Sequence, residues 1–373
     1  MRGYTVLSMK QNKNINKNKA KPLRVCHILF TSKMGGLEQA YIDYTRALLT
    51  YGYLVTAVIL PNAPYRAELE GLGVEIVTLK IRGFYDVLAW VRLRRILRRT
   101  RPDFVLAHNG RAISAARNAL LWLNIPLIGL SQSFNLKHSK KAEKLLVTTE
   151  AMRQLFLGVG YPPENCAVMY NMIEIPEHLP NLRWEKKNPP VIGFLGRLVP
   201  EKGADILLRA AHELKKRGIE VDLRIGGAGA EEEKLRGLAV ELGLAAQIKF
   251  LGWLMGDAKD NFFEDIDIFC VPSTYEPFGI VVLEGWKYGV PVIAGDADGP
   301  ASLIEHGVDG LLYAKNSVVA LADAIEKLLT SDDGAVKNVL VAGRKKLQNF
   351  GMEVGAKRLD TLLRGFLSKT QDI

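Results

Sequence analysis

Residues 23–60 open on L-R-V-C-H-I-L-F (23–30), pass through a segment whose apolar spacing predicts a helix from about Leu37 to Tyr51, and close on Y-L-V-T-A-V-I-L (53–60). Short β-branched runs on either side of an amphipathic stretch read as strand, crossover helix and parallel strand. The same punctuation continues through V-E-I-V-T-L, a helix to about Arg99, D-F-V-L-A-H, a helix over Ala112 to Leu123, I-P-L-I-G-L, and L-L-V-T-T ahead of a helix containing Met152. Such alternation predicts an α/β architecture, a parallel sheet covered on both faces by helices.

The pattern lapses near residues 176–190 into a proline- and charge-rich stretch, as a linker between domains should. A second series follows. V-I-G-F-L-G precedes a helix from about Gly203 to Arg217, then come V-D-L-R-I-G-G, a helix from about Glu231 to Leu242, I-K-F-L-G, D-I-F-C-V-P, a helix from about Phe278 to Tyr288, P-V-I-A and G-L-L-Y, with a last helix over Ser317 to Leu329. The expected organisation is a disordered tail (1–21), a first doubly wound domain (22–178) completed by the C-terminal helix (354–373), a linker (179–190) and a second doubly wound domain (191–353). A chain of 373 residues is long enough for two cores. Sheets of this kind bind ligands beyond the carboxyl ends of their strands, so chemistry is expected in the cleft between the two domains.

The formal net charge of +10 is unevenly spread: residues 1–180 carry +13 and residues 181–373 carry −3. A basic first half points to an anionic surface, phospholipid or nucleic acid, and net charge alone does not choose between them. No RNA-binding motif or aromatic platform accompanies the arginines, so nucleic acid is not expected. The helix expected from about Asp86 to Arg99 places Val87, Leu88, Val91, Leu93, Ile96 and Leu97 mainly on one side and five arginines around the rest. It reads equally as a membrane-surface helix or as a sheet-covering helix with a solvated basic face. The first 21 residues lack the apolar core of a signal peptide, and Met9 is an equally good start. No apolar run reaches membrane-spanning length, so any membrane contact is expected to be peripheral and the location cytoplasmic. Cys26, Cys166 and Cys270 are widely spaced and form no C-x-x-C pair, which fits a reducing compartment; Cys26 and Cys270 read as buried, inert thiols.

E-P-F-G-I-V-V-L-E (276–284) carries the chemistry. Gly279 permits close approach of a ligand, the first turn of the following helix offers free N–H groups to a diphosphate, and Glu284, flanked by Val281, Val282 and Leu283, is costly to bury without a partner such as ligand hydroxyls; the alternative makes Glu276 a helix-start acid and Glu284 half of a buried salt bridge. G-R-L-V-P-E-K-G (196–203) sets Arg197 and Lys202 at the carboxyl end of a strand, where a departing diphosphate needs positive charge. Gly35 and Gly36 open a helix after the first strand, and His108 ends D-F-V-L-A-H on the cleft side, either as a functional group or as a hydrogen-bonded structural histidine. The run R-I-G-G-A-G-A-E-E-E departs from the dinucleotide fingerprint G-x-G-x-x-G.

Taken with the D-G-P-A-S-L-I-E-H-G-V-D-G-L-L-Y segment and G-G-L-E-Q, these motifs resemble a GT-B fold glycosyltransferase of family 4 (group 1), of the bacterial lipopolysaccharide and polysaccharide type, over about residues 23–368. The resemblance implies two Rossmann-like domains facing across a cleft and sugar transfer from a nucleotide-sugar donor with retention, without a metal ion or other cofactor. It implies that Glu276 meets the donor sugar, Glu284 the ribose, and Arg197, Lys202 and the backbone at Phe278 and Gly279 the diphosphate, with Gly35 and Gly36 on its other side. His108 matches the histidine beside the donor sugar. The family's frequent H-x-H reads Leu106-Ala107-His108, so its first histidine is absent. Trp253 and Leu254 fall where the base is contacted. A nucleotide-sugar 2-epimerase of the same fold, or a non-catalytic protein that binds anionic surfaces, are the alternative readings. The expected acceptor is lipid-linked, or lipopolysaccharide, at the cytoplasmic face of the inner membrane. Donor sugar, base and oligomeric state stay open.

Overall fold

The alternation of apolar runs and helical segments folds into two parallel sheets. The computed structural model describes residues 21–182 and 184–371; the tail expected over residues 1–21 lies, but for Lys21, outside them, as do residues 372–373. The first unit comprises β1 (Arg24–Leu29), α1 (Gly36–Thr50), β2 (Leu54–Ile59), α2 (Arg66–Gly71), β3 (Glu75–Thr78), α3 (Val87–Thr100), β4 (Phe104–His108), α4 (Asn109–Ala119), β5 (Leu127–Ser131), α5 (Leu136–Ser139), β6 (Lys144–Val147), α6 (Glu150–Gly158) and β7 (Cys166–Val168). The second comprises β8 (Val191–Leu195), α7 (Ala204–Lys216), β9 (Asp222–Gly226), α8 (Glu232–Glu241), β10 (Ile248–Gly252), α9 (Asp257–Glu264), β11 (Ile268–Val271), α10 (Ile280–Tyr288), β12 (Val292–Gly295), α11 (Asp298–Leu303), β13 (Leu311–Tyr313) and α12 (Val318–Thr330). Two helices, α13 (Asp333–Leu347) and α14 (Met352–Gln371), end the chain.

The sheets run β3-β2-β1-β4-β5-β6-β7 and β10-β9-β8-β11-β12-β13, with every strand pair parallel. Both reverse direction of winding beside their first strand, at β1/β4 and at β8/β11, and a doubly wound sheet opens its ligand crevice at that reversal. Helices cover both faces, so the central strands are apolar on both sides: every residue of β4 and β5 is buried. One face of the first sheet packs Val25, Leu106 and Ile128 against Tyr44 and Leu48 of α1 and against Ala356, Leu359 and Leu363 of α14. The last helix therefore returns to the first sheet. On the way the chain pairs with its own outgoing crossing: Ile173 N–H donates to Phe350 O at 2.9 Å. Cys26 and Cys270 are enclosed in the cores, where burial pushes their thiols up.

The arginine-rich helix corrects its sequence reading. Ala89, Leu93 and Leu97, spaced four apart, form the buried stripe of α3, and each enclosed leucine contributes roughly 1.5–3 kcal/mol. Val87, Leu88 and Val91, expected on that same side, are instead exposed by 58, 68 and 42 %, because a stripe at i, i+4 and i+8 turns them across the helix. Arg94 folds back to donate to the carbonyls of Asn118 and Ala119 at the end of α4 and sits over the Trp122 ring. No helix among the described residues is long and apolar enough to cross a membrane.

Candidate active site

Gly35, Gly36 and His108 lie by the β1/β4 reversal and Arg197, Lys202 and Glu276 by the β8/β11 reversal, whereas Trp253 and Leu254 follow the edge strand β10. Arg197 and Lys202 follow β8, and Glu276 lies between β11 and α10. The two loops are joined through their backbones, since Thr274 N–H donates to Glu201 O at 2.9 Å. Gly203, with φ 68°, turns the chain from the short 3-10 turn Pro200–Lys202 into α7. A Cβ there would stand 2.1 Å from Pro272 O, so only glycine lets the loops approach this closely. Across the junction Lys202 Nζ donates to Glu276 Oε2 at 2.5 Å, with the side chains 19 and 13 % exposed.

A third loop clamps the Glu276 segment. Gly299 N–H donates to Glu276 O at 2.9 Å, and a Cβ on Gly299 would meet Glu276 O at 2.4 Å. The aspartate-glycine-proline phrase thus shapes the loop that holds Glu276. The glycine run after β9 has a comparable task. Gly227 and Gly229 press on the carbonyls of Gly196 and Leu198, at 1.7 and 2.2 Å from where their Cβ atoms would be, and so set the path of the Arg197 loop. Leu254 packs beside Gly226 at that edge, and Trp253 is 43 % exposed.

Phe278 is buried against Tyr170 and Phe350 and anchors the start of α10, whose N-cap Gly279 is left-handed at φ 94° and makes no side-chain cap. Helix α1 likewise starts at an uncapped glycine, Gly35. The two starts meet: a Cβ on Gly36 would lie 3.5 Å from Ile280 Cδ1, an ordinary contact. Two helix starts without side-chain caps, each with the positive end of its dipole, are thereby brought close together. The domains also touch at Tyr275, whose hydroxyl accepts from Phe134 N–H at 3.2 Å.

Three participants were not singled out in the sequence. Lys259 of α9 pairs with Glu284 in α10. Glu38, in the first turn of α1, is buried, and burial raises its carboxyl while Thr31, Arg197 and Lys33 pull the other way; the exposed Arg197 side chain is thereby placed near the start of α1. His27 takes His108, whose ring is enclosed under α1 against His27, Tyr41 and Tyr44 and not against the other expected site residues. The G-G-L-E-Q phrase contained Glu38, whereas Lys259 lies on a helix the periodicity had not revealed.

A profile of the family described as Glycosyl transferases group 1 matches residues 181–346, and one described as Glycosyl transferase 4-like domain matches residues 35–172. The lipopolysaccharide core biosynthesis glycosyltransferase LpsD of Rhizobium meliloti is 30% identical over 326 residues, 86% of this chain and 92% of that protein. The chain belongs to the group 1 glycosyltransferases. LpsE of the same organism, also named for lipopolysaccharide core biosynthesis, is 27% identical over 83% of this glycosyltransferase and 90% of its own length. Anabaena HepE, solved with UDP and glucose, shares the GT-B fold with a TM-score of 0.78 at 20% identity, over 92% of this chain and 99% of that one.

Proposed function

We propose that this glycosyltransferase takes its sugar from a nucleoside-diphosphate donor, seats the diphosphate between the starts of α1 and α10, and transfers with retention to a lipid-linked or lipopolysaccharide acceptor. The approach of two uncapped helix starts, together with the loop that carries Arg197 and Lys202, supports this reading, since helix N–H groups, dipoles and cations are what a diphosphate requires. That HepE was solved with UDP and glucose supports the donor class. In the transfer the bond from the anomeric carbon to the phosphate oxygen breaks, and its electron pair stays on the phosphate. Arg197, Lys202 and the helix ends stabilise that growing charge more than they stabilise the bound ground state. The acceptor oxygen attacks the same face of the sugar, and its proton passes to the leaving phosphate. In this reading Glu276 takes hydroxyls of the sugar and Glu284 those of the ribose.

Because these cations and dipoles supply the positive charge, no metal ion is required, and EDTA is expected to leave turnover unchanged; a chelator-sensitive rate restored by a divalent cation contradicts this. A panel of nucleotide sugars, scored by protection against thermal unfolding and by slow hydrolysis, tests the donor class. One nucleotide sugar should do both, and failure of all of them overturns it.

The acceptor reading rests on the names of LpsD and LpsE and on the first domain's surface. Tyr85 and Leu88 are 75 and 68 % exposed at the start of α3, which also exposes Arg92, Arg95, Arg98 and Arg99, and Trp122, 90 % exposed, lies against Arg94 of the same helix. Apolar tips within a basic field suit the anionic cytoplasmic leaflet of the inner membrane. Replacing Leu88 and Trp122 together by serine should weaken binding to phosphatidylglycerol-containing vesicles by about tenfold or more and leave donor hydrolysis unchanged. Equal vesicle binding by this variant contradicts the surface assignment.

A further inference from the structure

Hydrogen-bond bookkeeping around His108 fixes which of its nitrogens carries the proton. Thr45 Oγ1 lies 2.9 Å from Tyr41 O. A carbonyl only accepts, so the hydroxyl proton is committed to it, and Thr45 Oγ1 is left to accept from His27 Nδ1 at 3.0 Å. With its proton on Nδ1, His27 presents a bare Nε2 to His108 Nε2 at 2.7 Å, and a contact between two nitrogens needs one proton. It comes from His108, whose own Nδ1 is then unprotonated. That nitrogen is buried and has no partner among the described residues.

The chain of bonds is held from every side. Tyr41 stacks on His27 at 4.0 Å between ring centroids and donates its hydroxyl to His27 O. His27 pairs in register with Leu106, two residues before His108, so both imidazoles stand on the same face of the sheet with His108 nearer the carboxyl edge. The two nitrogens of an imidazole point to opposite sides of the ring. Nε2 is taken up by His27, which leaves the buried Nδ1 as the nitrogen still able to accept. Burial holds both rings neutral, pushing His108 down to about 3 and His27 well below the usual histidine range, the latter helped by its neighbour's charge. A neutral acceptor of fixed tautomer results.

We propose that Thr45 and His27 are positioning residues which hold His108 in its Nε2–H form, so that Nδ1 accepts a hydrogen bond from a hydroxyl of the transferred sugar. The proposal rests on the donor reading above for the identity of the ligand, but the tautomer does not. A buried acceptor without a partner rewards a ligand hydroxyl and penalises an analogue lacking it.

Thr45→Val keeps the shape and removes the hydroxyl. His27 Nδ1–H then loses its acceptor, and the relay is expected to reverse, with His27 donating from Nε2 and His108 forced to carry its proton on Nδ1. Long-range proton–nitrogen spectra of the full chain labelled with 15N-histidine read this directly, with His27→Gln and His108→Gln assigning the signals. Wild type should show His27 as Nδ1–H and His108 as Nε2–H at pH 7, Thr45→Val should exchange the two, and Thr45→Ser should restore them. With the donor picked out by the panel, Thr45→Val should lower kcat/KM about tenfold while affinity for the nucleoside diphosphate alone is kept, and Thr45→Ser should recover the rate. A wild-type His108 protonated on Nδ1, or a Thr45→Val enzyme with exchanged tautomers and an unchanged rate, overturns the proposal. If no nucleotide sugar is turned over, the donor reading falls instead, and the spectra still decide the relay.

Discussion

Alanine at Lys202 or at Glu276 lowers kcat/KM by about a hundredfold or more, the scale on which removal of one charge-stabilising group acts in an acyl- or phosphoryl-type transition state. In the proposed reaction Lys202 meets the departing diphosphate and Glu276 the sugar; in the structure the two side chains are paired across the junction of two loops. Neither is needed for those loops to form. The backbone bonds from Thr274 to Glu201 and from Gly299 to Glu276 persist in both variants, so circular dichroism and the unfolding profile should remain close to wild type. Leaving a half-buried charge without its partner costs some stability, but it leaves the path of the chain unaltered. Wild-type rates in both folded variants contradict the site assignment.

The second large effect is on stability. Gly203→Ala places a side chain at φ 68° and drives its Cβ to 2.1 Å from Pro272 O. A left-handed alanine costs about 1–2 kcal/mol, and the clash with a backbone oxygen adds to it, for a total of roughly 2–4 kcal/mol. Gly218→Ala is the matched control. Its φ is 79° and nothing lies within 4 Å of the Cβ position, so only the same left-handed backbone cost of about 1–2 kcal/mol applies. The difference between the two unfolding free energies measures the clash, and Gly203→Ala should also lose activity because relief of that clash moves Lys202 away from Glu276. Equal destabilisation by the two substitutions contradicts this account of the loop junction.

The fold was legible because its signal is local. Runs such as L-R-V-C-H-I-L-F and V-I-G-F-L-G announce buried strands by themselves, and their spacing by helices dictates parallel pairing. The candidate site was legible where one short phrase carries several of its residues, as at Glu276 to Glu284 or Arg197 to Lys202. Partnership between distant segments was not. Lys259 and Glu284 meet only because α9 and α10 pack together, and α9 is a short helix with too little periodicity to stand out. The face of α3 was misjudged because apolar residues occupy more than one side of it, and only packing decides which stripe goes inside. His108 shows the same limit. The sequence offered Leu106 where a histidine was expected, while the imidazole that serves His108 stands on the neighbouring strand beside Leu106, at residue 27. No spacing rule connects positions 81 residues apart.

A crystal structure with the nucleoside diphosphate of the preferred donor tests the central claim most directly. The diphosphate should lie between Gly35–Gly36 and the start of α10 at Ile280, with Arg197 and Lys202 on its oxygens and the ribose at Glu284. A nucleotide bound with its phosphates away from these two helix starts contradicts the account.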